Sequence, residues 1–289
     1  MNHDSISEIR GILETEGIAL KKRFGQNFLI RPEVRRRIAE TIQFGIRPEV
    51  PGEIWEIGPG LGALTDLLVP MGRPLRLFEI DRGLIRILRG RYGDSVILEE
   101  GDAADLLVTR LSEAESPMPA AVVGNLPYRS ASAMVAAIVE APQTARAVPF
   151  LVFLVQEELA LRLAAPPGAR DYSALSVLVQ NSYRVERGIA VPGSAFFPEP
   201  RVGSRVISLV AREDAPDPSL RRIASSLARR AFAQRRKTLR NTLGSILTCV
   251  EAMGIDPGER PERIRPERFI ELARCVAASG IGPTPPGRG

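Results

Sequence analysis

Histidine is almost absent from this chain of 289 residues: the single one, His3, stands in an N-terminal stretch expected to fray. A Ser-His-Asp or Cys-His relay needs an imidazole held between nucleophile and acid, so that chemistry is not expected. Cysteine is nearly as scarce. Cys249 and Cys275 belong to no CxxC pair and have no histidine near them in sequence, which argues against zinc or a disulfide scaffold and for a reducing compartment. The first 25 residues contain no leader-like apolar segment, and the longest apolar runs, such as Phe150 to Val155, are too short to span a bilayer. The expected location is the cytoplasm, with no membrane partner. Lysine is rare as well, with Lys21, Lys22 and Lys237 the only ones among 39 basic residues, so the positive charge rests on arginine.

What is present is apolar mass and localised charge. Apolar residues make up 44% of the chain, enough for one large α/β domain and a smaller one. The net charge of +5 is concentrated: Lys21 to Arg47 carries eight basic and two acidic residues, and Arg221 to Arg240 eight basic and none acidic. Two separated basic segments point to a polyanionic partner such as nucleic acid, against the alternative of solvated helix faces.

Ile6, Ile9, Ile12 and Leu13 have the spacing of a short amphipathic helix within Ser5 to Glu16. From Glu53 the pattern alternates. IWEI is followed by GPGLG and a helix to about Met71; further strands are expected at Leu75 to Ile80, Ser95 to Glu99, Ala120 to Val123 and Phe150 to Val155. Such alternation predicts a parallel sheet with crossover helices. After a helix to about Ala164 come a Pro/Gly loop, a mixed segment Tyr172 to Tyr183, and two β-rich stretches, Arg184 to Val191 and Ser204 to Val210, able to pair at the sheet edge. The proline-rich EDAPDPS (Glu213 to Ser219) marks a boundary, giving a catalytic domain over 1–211 and a helical basic domain over 212–289 whose final GIGPTPPGRG is expected to be disordered.

Gly58, Gly60 and Gly62 lie directly between a strand and a helix, where a ligand approaches the backbone closely. The spacing is GxGxG, one residue short of the dinucleotide fingerprint GxGxxG. The next strand ends in FEID, whose Glu79 is placed to accept from a ribose diol, and Asp102 follows the strand after that. Acceptors at two successive strand ends suit a nucleoside ligand with exposed hydroxyls and an adenine amine, S-adenosylmethionine (SAM) rather than NAD. The alternatives for these acids are helix N-caps, and for the glycines an ordinary tight turn.

Together GQNFL (Gly25 to Leu29), EIGPGLG, FEID, EGD, GNLPY, VQEELALR, YSALSVLVQ, AFFPEPRVGS and FAQRRKTLRNTL resemble, in order, the motif series of the ribosomal RNA adenine N6,N6-dimethyltransferases, most of all the bacterial small-subunit (16S) enzymes. The resemblance extends to the 18S enzymes and to the macrolide-resistance methylases of 23S rRNA. It implies a Rossmann-like SAM-dependent methyltransferase sheet with helices on both faces plus a small C-terminal all-α domain. It also implies transfer from SAM, leaving S-adenosylhomocysteine, to N6 of two adjacent adenosines in the 3′-terminal hairpin loop of 16S rRNA. No metal is expected, and a monomer is expected because no apolar helix seam is left unexplained. Modification of 23S rRNA and a non-catalytic assembly role are the alternatives: NLPY together with the KxLRN segment speaks against the first, and the intact glycine turn and NLPY against the second.

The resemblance carries cofactor contacts to Asn27, Leu29, Gly58, Glu79, Asp102 and Asn125, and the glycine turn adds Gly60. For the base, Asn125 offers its side-chain oxygen and Leu126 its carbonyl, fixed by Pro127, to the hydrogens of a weakly nucleophilic amine. Tyr128 is expected to stack on the base, and Phe196 matches the family aromatic on its opposite face, with Phe197 read as a packing residue. Gln156 and Glu157 receive no catalytic role. Gly203 stands where the family usually has Asp or Asn. Arg229, Arg236, Lys237 and Arg240 are expected near one side of a single helix, as phosphate contacts, with Phe232 and Leu239 toward the core.

Overall fold

The computed structural model describes residues 1–18, 26–113, 118–141 and 148–280. Gly25 of the GQNFL motif, all three residues of the Lys21–Arg23 basic run and the tail beyond Gly280 lie outside them.

The strands are β1 (Phe28–Leu29), β2 (Ile54–Ile57), β3 (Leu75–Glu79), β4 (Ile97–Glu100), β5 (Ala121–Asn125), β6 (Phe150–Gln156), β7 (Tyr183–Val191), β8 (Phe196–Phe197) and β9 (Ser204–Ala211). The helices are α1 (Ile6–Thr15), α2 (Pro32–Gly45), α3 (Thr65–Leu68), α4 (Arg82–Tyr92), α5 (Ala103–Ser112), α6 (Ala131–Glu140), α7 (Glu157–Ala164), α8 (Ala174–Gln180), α9 (Pro218–Ala233), α10 (Leu239–Thr242), α11 (Leu247–Ala252) and α12 (Pro266–Ala278). Among the described residues, no helix is long and apolar enough to cross a membrane.

Seven strands form one sheet in the order β4-β3-β2-β5-β6-β9-β7. Strands β4 through β6 are parallel and β9 runs antiparallel to β6. The chain winds outward from β2 through β3 to β4, then returns to lay β5 and β6 on the other side. That reversal opens a crevice beyond the carboxyl ends of β2 and β5, where ligands bind in sheets of this type. Both strands are buried through their lengths up to Asn125, as parallel strands covered on two faces are. They also approach closely at Gly124: a Cβ there would sit 2.5 Å from the Ile57 carbonyl oxygen. Strands β1 and β8 form a separate antiparallel pair, Phe28 opposite Phe197 and Leu29 opposite Phe196, joining two motifs far apart in sequence.

The helix expected to reach Met71 is shorter. α3 has four residues and continues as a tight 3-10 turn over Val69–Met71, where Pro70 brings no amide donor and Gly72 closes the turn at φ 71°.

Among the described residues the chain divides into two compact units, Met1–Ala141 with Val148–Ala160 and Glu186–Val210, and Leu161–Val185 with Ala211 onward. The second unit therefore takes a segment that the sequence division at 211/212 assigns to the first. The reason is packing: Val177 of α8 joins Leu227, Phe269 and Leu272 in one apolar core, and Tyr172 donates its hydroxyl to the Ile264 carbonyl at 2.8 Å while its ring meets Phe232 edge-on. In the same unit Cys249 and Cys275 pair as a disulfide, their Cα atoms 5.7 Å apart. Sequence spacing gave no warning of this crosslink, because α11 and α12 bring together residues 26 apart.

Candidate active site

The glycine turn after β2 takes positive φ at Gly58 (62°), Gly60 (61°) and Gly62 (86°), a conformation that side-chain-bearing residues rarely adopt. Its backbone is held by an acid. Glu79, at the end of β3 and 6% exposed, accepts from Gly60 N–H at 3.2 Å with one oxygen and from the N–H groups of Ile80 and Asp81 at 2.9 and 3.0 Å with the other. Burial pushes its pKa up, and these three amides oppose the rise.

Around this turn lies a cavity of about 400 Å³ at the strand ends, within the usual range for small-ligand sites. Asn27, Leu29, Gly58, Gly60, Glu79, Asp102, Asn125 and Pro127 all line it, so residues nearly 100 positions apart in sequence share one wall. Asp102 caps α5 by accepting from Ala104 N–H at 2.9 Å and also faces the cavity. For Glu79 the N-cap alternative fails: the cap of α4 is Asp81. Asn125 donates its amide Nδ2 to the Asn27 carbonyl at 2.9 Å. That bond fixes the orientation of the amide and leaves Oδ1 as its acceptor end.

Leu126 is main-chain anchored, its N–H donating to Leu154 of β6 at 3.1 Å, and the Pro127 carbonyl accepts the Ala131 N–H at 2.9 Å to start α6. Tyr128 and Leu126 do not line the cavity. Tyr128 is half-buried beside it in sequence, its hydroxyl 2.7 Å from Ser204 Oγ. Phe196 differs from expectation. At 3% exposure it packs in the core with Leu29, Ala195 and Val206, whereas Phe197 is the partly open ring, with the Arg10 guanidinium 5.1 Å from its centre. The β1–β8 register sets this, since neighbouring residues of a strand face opposite sides. Glu157 forms an ion pair with Arg205 at 2.9 Å and its N–H donates to the Gly203 carbonyl, so Gly203 serves through its backbone.

Sequence reasoning missed Glu56. It lies on β2 immediately before the turn, is buried against the cavity and accepts the Thr65 hydroxyl at 2.7 Å. Burial raises its pKa to about 8, so it is mostly protonated at neutral pH. An acid inside the otherwise apolar IWEI was the available signal. His3 was also missed: it is buried rather than frayed, and it too lines the cavity.

The C-terminal basic run is not one helix. α9 ends at Ala233; Arg236 and Lys237 lie in the following turn and Arg240 in α10. Arg235 folds inward there, donating to the Ala169 carbonyl at 3.1 Å and pairing with Glu262 at 3.4 Å, which draws the chain out of helical register. Arg229, Arg236, Lys237 and Arg240 are nonetheless all exposed, while Leu239 is buried and Phe232 packs on the core.

The cavity's chemistry fits an adenosine ligand that carries no phosphates. Carboxyl groups stand at the ends of β2 and β3 and just beyond β4, and the only arginine or lysine among its described lining residues is Arg129, too little for a pyrophosphate. Such a ligand at the switch point of this sheet is the arrangement of a SAM-dependent methyltransferase, and among the described residues no acidic, cysteine or histidine cluster could hold a metal. The family model described as ribosomal RNA adenine dimethylase matches residues 17–277, and the chain belongs to that family. It is 40% identical over 267 residues to the ribosomal RNA small subunit methyltransferase A of Aromatoleum aromaticum, covering 89% of this chain and 94% of that one. The protein of the same name from Pseudomonas syringae is 40% identical over 262 residues, again covering 89% and 94%. Among solved structures, a dimethyladenosine transferase from Plasmodium falciparum shares the fold, with TM-score 0.70, 21% identity and coverage of 87% and 98%. The 23S rRNA methyltransferase ErmE superposes with TM-score 0.63 at 25% identity, covering 87% and 100%.

Proposed function

We propose that the protein transfers methyl groups from SAM to N6 of two adjacent adenosines in the 3′-terminal hairpin loop of 16S rRNA in the cytoplasm, giving N6-dimethyladenosines. The observation that carries the mechanism is the fixed amide of Asn125, whose donor end is taken by Asn27. Adenine N6 has its lone pair delocalised into the ring, so a site that uses it as nucleophile must hold its hydrogens and favour a more tetrahedral nitrogen. Asn125 Oδ1 is one acceptor for those hydrogens, and the Leu126 carbonyl, on a main chain anchored to β6 and followed by Pro127, is the second. The bound cofactor supplies an electrophilic methyl group on a sulfonium.

Glu79 and Asp102 hold the ribose and adenine side of the cofactor, and Glu56 closes the floor beneath the glycine turn. Tyr128, fixed at its hydroxyl by Ser204, stacks on the target base; such stacking contributes about 1 to 3 kcal/mol per base. No strong general base is required, because the amine becomes acidic once alkylated and releases its proton then. Orientation supplies most of the acceleration, up to about 7 to 11 kcal/mol in favourable systems. A second methyl can follow because neutral acceptors still serve the remaining N6 hydrogen.

The exposed Arg229, Arg236, Lys237 and Arg240 contact RNA phosphates and position the substrate. The small-subunit assignment is favoured over 23S rRNA by 40% identity to the small-subunit relatives against 25% to ErmE. Incubating the protein with labelled SAM and undermethylated small subunits, with large-subunit RNA in parallel, tests this. Dimethyladenosine, identified by mass spectrometry in the small-subunit RNA alone, is expected; label confined to 23S RNA would reverse the assignment.

A further inference from the structure

Helix α1 and the residues before it lie ahead of the family match, yet they build part of the cavity wall. Ile9 and His3 line it. Ile9 and Leu13 are buried with Phe28, Leu61 and Leu84, and Phe28 and Leu61 themselves border the cavity. Helix α1 starts cleanly, with the Ser5 hydroxyl accepting from Glu8 N–H at 3.2 Å.

Contacts at several points tie this segment to the rest of the site. His3 Nε2 lies 2.9 Å from Asp66 Oδ2, and since an ionised carboxylate only accepts, that nitrogen carries the proton. Asp66 in turn is held by Arg91 through both oxygens at 2.8 Å and by the Tyr92 hydroxyl at 2.6 Å. Arg91 also donates to the Leu61 carbonyl, and the Tyr92 hydroxyl oxygen lies 3.1 Å from the Gly62 carbonyl, so one carboxylate links His3 to the glycine turn. At the other end Arg10 covers the Phe197 ring on β8, opposite Phe28. Asp4 adds an ion pair with Arg35 of α2.

We propose that residues 3–13 form a cover over the cofactor cavity, with His3 fastening it to the glycine turn through Asp66 and Arg10 fastening it to Phe197. His3 is then a positioning residue that slows release of the sulfonium nucleoside. Its removal leaves Asp66 bonded to Arg91 and Tyr92, so the turn keeps its own support and only the cover loosens. The inference rests on the reading of the cavity as a SAM site.

Release of radiolabelled SAM from the full-length protein, followed by rapid filtration, tests it. His3→Ala is expected to speed release about tenfold, roughly the worth of one hydrogen bond to a charged group. Arg10→Ala should speed it by a smaller factor, and His3→Gln, whose amide can still donate to Asp66, should recover part of the loss. Thermal unfolding midpoints near the wild-type value would accompany these changes. Wild-type release rates in both alanine variants, or faster release that merely follows a lowered unfolding midpoint, would overturn the cover. If the wild type itself binds no SAM, the underlying cofactor reading fails instead.

Discussion

The two units bury different things. In the unit of β1–β6, carboxyl and hydroxyl groups converge inside: Glu56, Thr65, Glu79 and Asp81 are all buried near the cavity end of the sheet. In the helical unit the interior is mainly aliphatic and aromatic, built by Leu227, Leu239, Phe269 and Leu272 at 0% exposure, and most of the arginines of α9 and α10 face water. Buried neutral and acidic acceptors suit a small ligand rich in hydroxyl and amine hydrogens, whereas exposed guanidinium groups suit a phosphate backbone. On the proposed function, the first unit reads the nucleoside and the helical unit grips the polyanion.

The largest expected effect sharpens that separation. Phe269→Ala should destabilise the helical unit by about 3 to 5 kcal/mol, as large aromatic truncations in cores do, seen as a lowered calorimetric transition. SAM affinity measured below that transition should stay within about twofold, less than half a kcal/mol; loss of SAM binding would break the division of labour. Next, Glu79→Ala strips three backbone amides of their acceptor and should weaken SAM binding by about 10- to 100-fold, as for loss of hydrogen bonds to a charged group. Calorimetric titration reads it directly. Arg236→Ala and Arg240→Ala should leave SAM binding alone while reducing the slope of log K for RNA against log salt by about 0.7 to 0.9 each.

A pH-dependent effect is expected at Glu56. Its folded pKa of about 8 lies above the ordinary 4.5, so the folded state holds this proton where the unfolded chain has lost it. Stability from this group is full below pH 4.5 and declines as pH rises toward about 8. Glu56→Gln should flatten that part of the pH–stability curve, measured by denaturant titration at pH 5, 6.5 and 8, a range set by the same pKa; an unchanged slope would place the ionisable group elsewhere.

Local features of the site were legible in the sequence because strand, turn and acid follow one another within a few residues: the GxGxG turn, Glu79 at the end of β3 and Asn125 at the end of β5 all reach the cavity. Features made by distant packing were not. His3 reads as a loose end until Asp66 and Arg91 are folded against it, and Phe196 reads as an open ring until the β1–β8 register turns it inward. The run from Arg229 to Arg240 has helical spacing throughout, yet Arg235 finds Glu262 and the Ala169 carbonyl and the helix stops. Residues 161–185 carry nothing locally that assigns α8 to the core of α9 and α12. Asn125 was found, whereas the bond to Asn27 that gives it direction spans 98 residues and belongs to the fold.

The central claim is that neutral, oriented acceptors rather than a general base activate the amine, and single-turnover methyl transfer by Asn125→Ala to undermethylated small subunits tests it most directly. The rate should fall at least about 100-fold, the scale seen when one preorganised polar group is removed from an active site. The loss should persist across the neutral pH range and at saturating SAM. Transfer at the wild-type rate by that variant would contradict the mechanism, even if the methylated nucleotide were the expected one.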